Sequence, residues 1–154
     1  MSDYDIVIVG FGPTGGTLAN LLALSGISTC IIEREDSLYN LPRAVHFDDE
    51  VMRVFQTIGI AKNLRKYLII NRGTRFIDKS GQILLDWPRP RKVTINGWNA
   101  SYRFHQPDLE RILRRRLRNK SFIEIFKNVE LQNITEQGSN VKTAFKNLKD
   151  GTLT

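Results

Sequence analysis

Only one cysteine, Cys30, occurs in the 154 residues, so the chain can build neither an internal disulfide nor a cysteine-based metal site. No metal site is expected. No apolar run reaches the roughly 18 residues that a membrane-spanning helix needs. The opening residues, Met1-Ser2-Asp3-Tyr4-Asp5, are acidic and lack the basic and apolar regions of a signal peptide. Together these absences lead to the expectation of a cytoplasmic protein with no membrane partner. No internal repeat and no low-complexity segment is visible. No Ser/His/Asp arrangement stands out, so no catalytic residue is assigned.

Carboxylates are in deficit, 16 against 23 Lys and Arg, leaving a net charge of +7. Such an excess can serve nucleic acid, a membrane surface or an anionic ligand. Part of it is local: Arg111, Arg114, Arg115, Arg116, Arg118 and Lys120 lie within ten residues. They are read as one solvated helix face. No nucleic-acid motif accompanies the charge, so nucleic acid is not expected as a partner.

What is present is a hydrophobic share of 41% in a length that suits one domain. A chain of this size can bury roughly 70% of its unfolded surface. Tyr4–Val9 reads YDIVIV, a near-continuous apolar run that suits a strand covered on both faces. A glycine-rich turn over 10–16 follows. Leu18, Ala19, Leu21 and Leu22 then mark a helix over 17–25, with Gly26 as its stop, and Ile27–Glu33 is a second strand. Strand, turn, helix and strand make a right-handed βαβ crossover with parallel strands.

Residues 34–46, with Pro42, read as a loop. Asp48, Asp49 and Glu50 open a helix whose buried stripe is Val51, Met52, Phe55 and Ile58, and which Gly59 ends. A short helix is expected over 61–66 and strands over 67–78 and 82–87, turning at Lys79-Ser80-Gly81. Residues 88–97 form a Pro- and Arg-rich loop flanked by Trp87 and Trp98, for which packing is the default. Residues 101–105 form a strand. Pro107 then sits in the first turn of a helix with Leu109, Ile112, Leu113 and Leu117 on its apolar face. The tail reads as three successive strands, 122–126, 129–136 and 141–148, with Lys149-Asp150-Gly151 as a hairpin turn. Cys30 falls in a buried strand and behaves as a small hydrophobe.

The segment Gly10-Phe11-Gly12-Pro13-Thr14-Gly15 fits G-x-G-x-x-G. Alone that pattern says little. Here a strand precedes it, a helix follows it, and Glu33 stands 18 residues after Gly15 at the end of the next strand. Gly10 allows the tight turn, Gly12 lets backbone approach a pyrophosphate, and Gly15 lets the helix pack close to the sheet. The helix N-terminus offers unpaired N–H groups and partial positive charge to phosphate. The Glu33 carboxylate can accept from ribose hydroxyls and disfavours a 2′-phosphate. These residues, with Pro13, Thr14 and the adjoining Arg34, are the candidate cofactor-binding set. They indicate a dinucleotide, and spacing does not choose between NAD and FAD.

Three segments carry a further resemblance: DYDIVIVGFGPTGGTLANLLALSGISTCIIER (3–34), LPRAVHFDDEVMRVFQTIGI (41–60) and GWNASYRFHQPDLERILRRRL (97–117). In this order they resemble the flavin monooxygenases of the p-hydroxybenzoate hydroxylase fold, in particular the 3-(3-hydroxyphenyl)propionate hydroxylases. That resemblance implies an α/β fold, a Rossmann-like FAD-binding domain with a parallel sheet and a β-rich insertion or β-meander. It implies FAD as cofactor, contacted also by Arg43 and Gln106, with NAD(P)H as transient co-substrate. It implies hydroxylation of a small phenolic substrate by O2. His46 would lie in the loop near the flavin, with solvated or packed positions the simpler reading for it and for His105. The family's later Asp-Gly and Gly-Asp motifs and its substrate domain are not found, so residues 1–154 are expected to be the N-terminal part of an FAD-binding domain. A non-catalytic FAD- or nucleotide-binding fragment is the alternative, as is another FAD oxidoreductase with the same N-terminal fold. NADH or NADPH, the aromatic substrate, and whether the protein forms a homo-oligomer stay open. Gly16, where the family has a bulky residue, should cost some helix stability.

Overall fold

Branched aliphatic residues run through both first strands, and both form where the pattern puts them. The computed structural model describes residues 3–41 and 43–153; Pro42, named above in the loop, lies outside them, as do Met1, Ser2 and Thr154. The chain divides into two units, Met1–Asn40 with Glu110–Thr154, and Leu41–Leu109.

In the first unit, β1 (Ile6–Val9) pairs in parallel with β2 (Thr29–Glu33), and the α-helix α1 (Pro13–Leu24) joins them. The helix starts four residues before the expected 17, because Pro13 at its first position already holds a helical φ. Beyond β2 lies β8 (Ile123–Lys127), also parallel, so the sheet order is β1-β2-β8. This strand was expected to open a run of tail strands; it joins the Rossmann sheet instead. The remaining tail is a two-stranded antiparallel ribbon, β9 (Val129–Gln137) with β10 (Asn140–Asn147). After it, the Asp150 carboxylate accepts from the Thr152 N–H at 2.9 Å, and Leu153 bridges back to Lys146, as a hairpin turn requires.

Burial follows strand position. Central β2 is buried at every residue, whereas β1 buries Ile8 and leaves Val9 exposed. The two-faced cover expected for β1 therefore belongs to β2. One core cluster joins Ile8, Phe11, Ala19, Ile31 and Leu117; a second joins Cys30, Ile32 and Val129. Burial pushes the Cys30 thiol up to about 11, with the Glu124 carboxylate adding to the shift.

In the second unit, α2 (Asp49–Thr57) is capped by Asp48, whose carboxylate accepts from the Val51 N–H at 3.0 Å. Met52, Phe55 and Ile58 are buried, but Val51, expected in the stripe, is exposed. The next helical stretch is α3 (Ala61–Leu64), continued by one 3₁₀ turn over Arg65–Tyr67. A small sheet has the order β3-β7-β4, with β3 (His46–Asp48), β7 (Ser101–Arg103) and β4 (Ile69–Ile70), all antiparallel pairings. Of β3, His46 was read as the end of a loop and Asp48 as the opening of a helix; three residues are too few for a visible alternation. The long strand expected over 67–78 is two strands in different sheets. Its second half, β5 (Gly73–Ile77), pairs instead with β6 (Ile83–Pro88). The break falls at Asn71-Arg72-Gly73, where Gly73 has φ +143° and the buried Asn71 side chain bonds Ser101 Oγ at 2.9 Å. The turn at Lys79-Ser80-Gly81 is as expected, held by Asp78 Oδ1, which accepts from the N–H groups of Ser80 and Gln82.

The helix α4 (Gln106–Leu117) buries Leu109, Leu113 and Leu117, with Ile112 half-buried. No helix of the described residues is long and apolar enough to cross a membrane. Among those residues no cluster of His, Cys, Asp or Glu could hold a metal ion.

Candidate cofactor site

The glycine turn is built by hydrogen bonds that continue the sheet past its last regular pair. Gly10 N–H donates to Ile32 O at 2.7 Å, and Gly10 then takes φ +97°, which a side chain would oppose. The next amide, Phe11 N–H, donates to Glu33 Oε2 at 2.6 Å. Across that trans peptide the Gly10 carbonyl must face the opposite way, and it faces α1. A Cβ on Gly15 would stand 2.0 Å from this oxygen. Gly15 is thus the point where helix and turn touch backbone to backbone, as its place in the pattern predicts. Gly16 is different: a Cβ there would meet Leu113 at 3.5 Å, an ordinary contact.

Gly12 caps α1 with extended backbone, and the intrahelical ladder starts with Gly16 N–H to Gly12 O at 2.8 Å. Amides of Thr14 and Gly15 in the first turn therefore have no acceptor within the helix, and Pro13 has no N–H to satisfy. The first turn carries no acidic side chain to occupy that positive end. Cβ atoms placed on Gly10 and Gly12 would meet nothing of the described residues within 4 Å. Open space over bare Cα atoms beside a helix N-terminus is what a diphosphate needs, and the site passes this test of fit.

Glu33 is buried, and both carboxylate oxygens already work within the chain. Oε2 takes Phe11 N–H, and Oε1 takes Glu35 N–H at 2.9 Å. Each oxygen keeps a further lone pair for a ligand hydroxyl. Arg34 lies exposed and pairs with Glu35 at 3.3 Å.

One residue of this site was missed in the sequence. Arg114, read as part of a solvated basic face, has a side chain only 15% exposed. Its Nη2 donates to Phe11 O at 2.9 Å, its guanidinium lies 4.6 Å from the Phe11 ring centre, and Glu110 pairs with it at 3.3 Å. The signal available was Glu110 and Arg114, one helical turn apart and flanking the Leu109/Leu113/Leu117 stripe. The neighbouring Arg111, Arg115, Arg116, Arg118 and Lys120 are exposed as expected.

In the second unit, buried Gln106 organises the segment after Pro42. Its Oε1 accepts from both Arg43 N–H at 2.9 Å and Ala44 N–H at 2.8 Å. The structure thus joins the two residues that the resemblance singled out, through Gln106's acceptor and the backbone of Arg43. His46 sits in β3, its Nε2 2.6 Å from Ser101 Oγ, and borders a cleft of about 510 Å³ that Val45, Asn71, Arg89, Arg103 and Phe104 also line. His105 pairs with Asp108 on the surface. Trp87, expected to pack, is exposed with Arg89 over its ring at 4.5 Å.

The model of a known family, described as FAD binding domain, matches residues 3–154. This chain belongs to that family. It is 38% identical over 135 residues to a probable NADH-specific resorcinol 4-hydroxylase of Rhodococcus jostii (strain RHA1), covering 86% of this chain and 25% of that protein. It is 32% identical over 148 residues to a 3-(3-hydroxy-phenyl)propionate/3-hydroxycinnamic acid hydroxylase of Mycolicibacterium vanbaalenii, covering 96% of this chain and 26% of that one. The FAD-binding chain therefore spans about a quarter of the length of these relatives. Among solved structures it is similar in fold to the flavin-dependent monooxygenase PieE in complex with FAD and substrate, with a TM-score of 0.82 and 18% identity over 97% of this chain and 28% of that one. The p-nitrophenol 4-monooxygenase PnpA of Pseudomonas putida DLL-E4 matches with a TM-score of 0.81 and 19% identity, over 92% and 36%. The expected α/β fold, its parallel sheet and the choice of FAD over NAD as the family's dinucleotide all hold.

Proposed function

We propose that this chain is the FAD-binding part of a flavin-dependent monooxygenase that hydroxylates a small phenolic substrate with NAD(P)H and O2. The observation that carries the reading is the bare-backbone turn of Gly10 and Gly12 at the head of α1, with the Glu33 carboxylate on its adjoining amide. Resemblance of most of the chain to hydroxylases of resorcinol and of 3-(3-hydroxyphenyl)propionate supports the choice of reaction and of a phenolic ring.

Bound FAD supplies the redox and oxygen chemistry, which no side chain of this set could perform. The protein's share is binding and orientation. Gly12, Thr14 and Gly15 offer amides to the diphosphate, with Gly10 and Pro13 shaping the turn that presents them. Glu33 accepts from the adenosine ribose, and Arg34 stands beside it. Arg43 offers a forked set of donors to flavin or phosphate oxygens. Gln106 holds the backbone from which Arg43 projects and contacts FAD beside it. The partners in this reading are small molecules, with neither nucleic acid nor membrane required, and the compartment is the cytoplasm.

Purified chain titrated with FAD tests the cofactor assignment. Quenching of flavin fluorescence with one site per chain is expected, and ADP should compete. No binding of either ligand would remove it. NAD(P)H oxidation stimulated by a phenol, with hydroxylated product, tests the reaction; retained flavin without turnover would limit these residues to cofactor binding.

A further inference from the structure

We propose that Arg114 is a positioning residue for the cofactor's diphosphate: by holding the Phe11 carbonyl it turns the Gly12 N–H outward to the ligand. This rests on the reading of the turn as the diphosphate site.

Two consecutive peptides form the bend, and each is held from one side. The Gly10–Phe11 peptide is held through its N–H by Glu33 Oε2 at 2.6 Å. The Phe11–Gly12 peptide is held through its C=O by Arg114 Nη2 at 2.9 Å. Both peptides are trans, so a carbonyl tied to Arg114 sends the Gly12 N–H the other way. There it finds no acceptor among the described residues, and a Cβ on Gly12 would meet nothing within 4 Å. One N–H therefore faces open space at the helix N-terminus because an arginine on a different helix holds its peptide plane.

Packing alone does not call for this arginine. The position adjoins the buried stripe of Leu109, Leu113 and Leu117, and an aliphatic residue would fill such a place without burying a cation. Arg114 Nε is buried with no partner among the described residues, which is a cost. That cost is borne where the guanidinium is stacked on the Phe11 ring and steadied by Glu110, itself almost fully buried. Glu110 offsets much of the charge, so what Arg114 gives the site is direction more than attraction. Loss of the charge-assisted bond leaves the peptide free to rotate, and the ligand must then order it on binding.

Adenosine and ADP separate this role from a general structural one, since only ADP reaches the turn. Calorimetric titrations of wild type, Arg114→Met and Arg114→Lys, with thermal melts alongside, form the test. In Arg114→Met, ADP affinity should fall about tenfold, or about 1.4 kcal/mol, while adenosine affinity stays within about twofold. Arg114→Lys keeps the charge but not the planar fork, and should fall between. Equal losses for adenosine and ADP would show a structural role only and overturn the proposal. Wild-type ADP affinity in Arg114→Lys would show that charge alone matters and overturn it too. If Arg114→Met does not fold, Glu110→Gln takes its place, with the same selective loss of ADP expected and wild-type ADP affinity counting against the proposal. No ADP binding by the wild-type chain would instead remove the site reading itself, and the role of Arg114 with it.

Discussion

Adjacent glycines in α1 should respond oppositely to one added methyl group. A Cβ on Gly15 would lie 2.0 Å from the Gly10 carbonyl oxygen and 3.2 Å from Ile8 Cγ2. Real contacts of this kind stay beyond 3.0 Å, so helix and turn must part by at least 1.0 Å, the difference between the two distances. The move opens the cluster of Ile8, Phe11, Ala19, Ile31 and Leu117. Overpacking of a filled core costs about 1–3 kcal/mol, and here the clash is backbone against side chain, with no rotamer to relieve it. Helix propensity returns about 1 kcal/mol for replacing glycine. Gly15→Ala should therefore destabilise the chain by about 2 kcal/mol. Gly16→Ala gains the same propensity, and its Cβ would meet Leu113 at 3.5 Å without strain. It should stabilise by about 0.5–1 kcal/mol. Because the propensity gain is common to both, the gap of about 3 kcal/mol between the variants isolates the close approach at Gly15. Urea denaturation followed by circular dichroism measures it. Equal midpoints for the two variants would refute the packing argument, and a Gly16→Ala variant weaker than wild type would refute the cost assigned to that glycine.

Other perturbations address the site and its surroundings. Glu33→Ala should weaken FAD binding and, by stranding the Phe11 amide, lower stability by about 1–3 kcal/mol; unchanged FAD affinity would remove Glu33 from the site. Gln106→Leu takes away the acceptor shared by Arg43 and Ala44. Hydrogen exchange at those two amides should accelerate, and retained protection would show that another group holds the segment. Cys30 should resist maleimide at neutral pH until the chain unfolds, since its thiol is buried and its pKa is raised. The stability tied to that raised value is present below the usual thiol pKa and is lost as pH climbs through about 11. Fast labelling of folded protein would contradict the burial. Asp49 accepts from Thr94 Oγ1 at 2.6 Å and Asn96 Nδ2 at 2.7 Å, which lower its pKa. Its hold on that loop is present above the usual carboxylate pKa and is lost as pH falls below it. Chemical shifts of Thr94 to Trp98 should move in that window, and not in Asp49→Asn.

Much of this protein could be read along the chain because its decisive signals are local. The glycine spacing, the apolar runs of β1 and β2, the acidic opening of α2 at Asp48-Asp49-Glu50 and the leucine stripe of α4 each depend on neighbours a few residues away. A turn that needs φ > 0 at Gly10 and no side chain at Gly15 admits few other residues, so the sequence alone determined the glycine turn and the βαβ unit around it. Tertiary structure decided what depends on partners far apart in number. It put β8 beside β2 across ninety residues, since either neighbour could satisfy the edge of β2 and nothing local in 123–127 says which. It broke 67–78 into two sheets, because Asn71 found a partner in Ser101 thirty residues on. It turned Arg114 inward from a run of arginines that look alike in sequence, where only the approach of Phe11 gives that one a carbonyl to hold and a ring to cover.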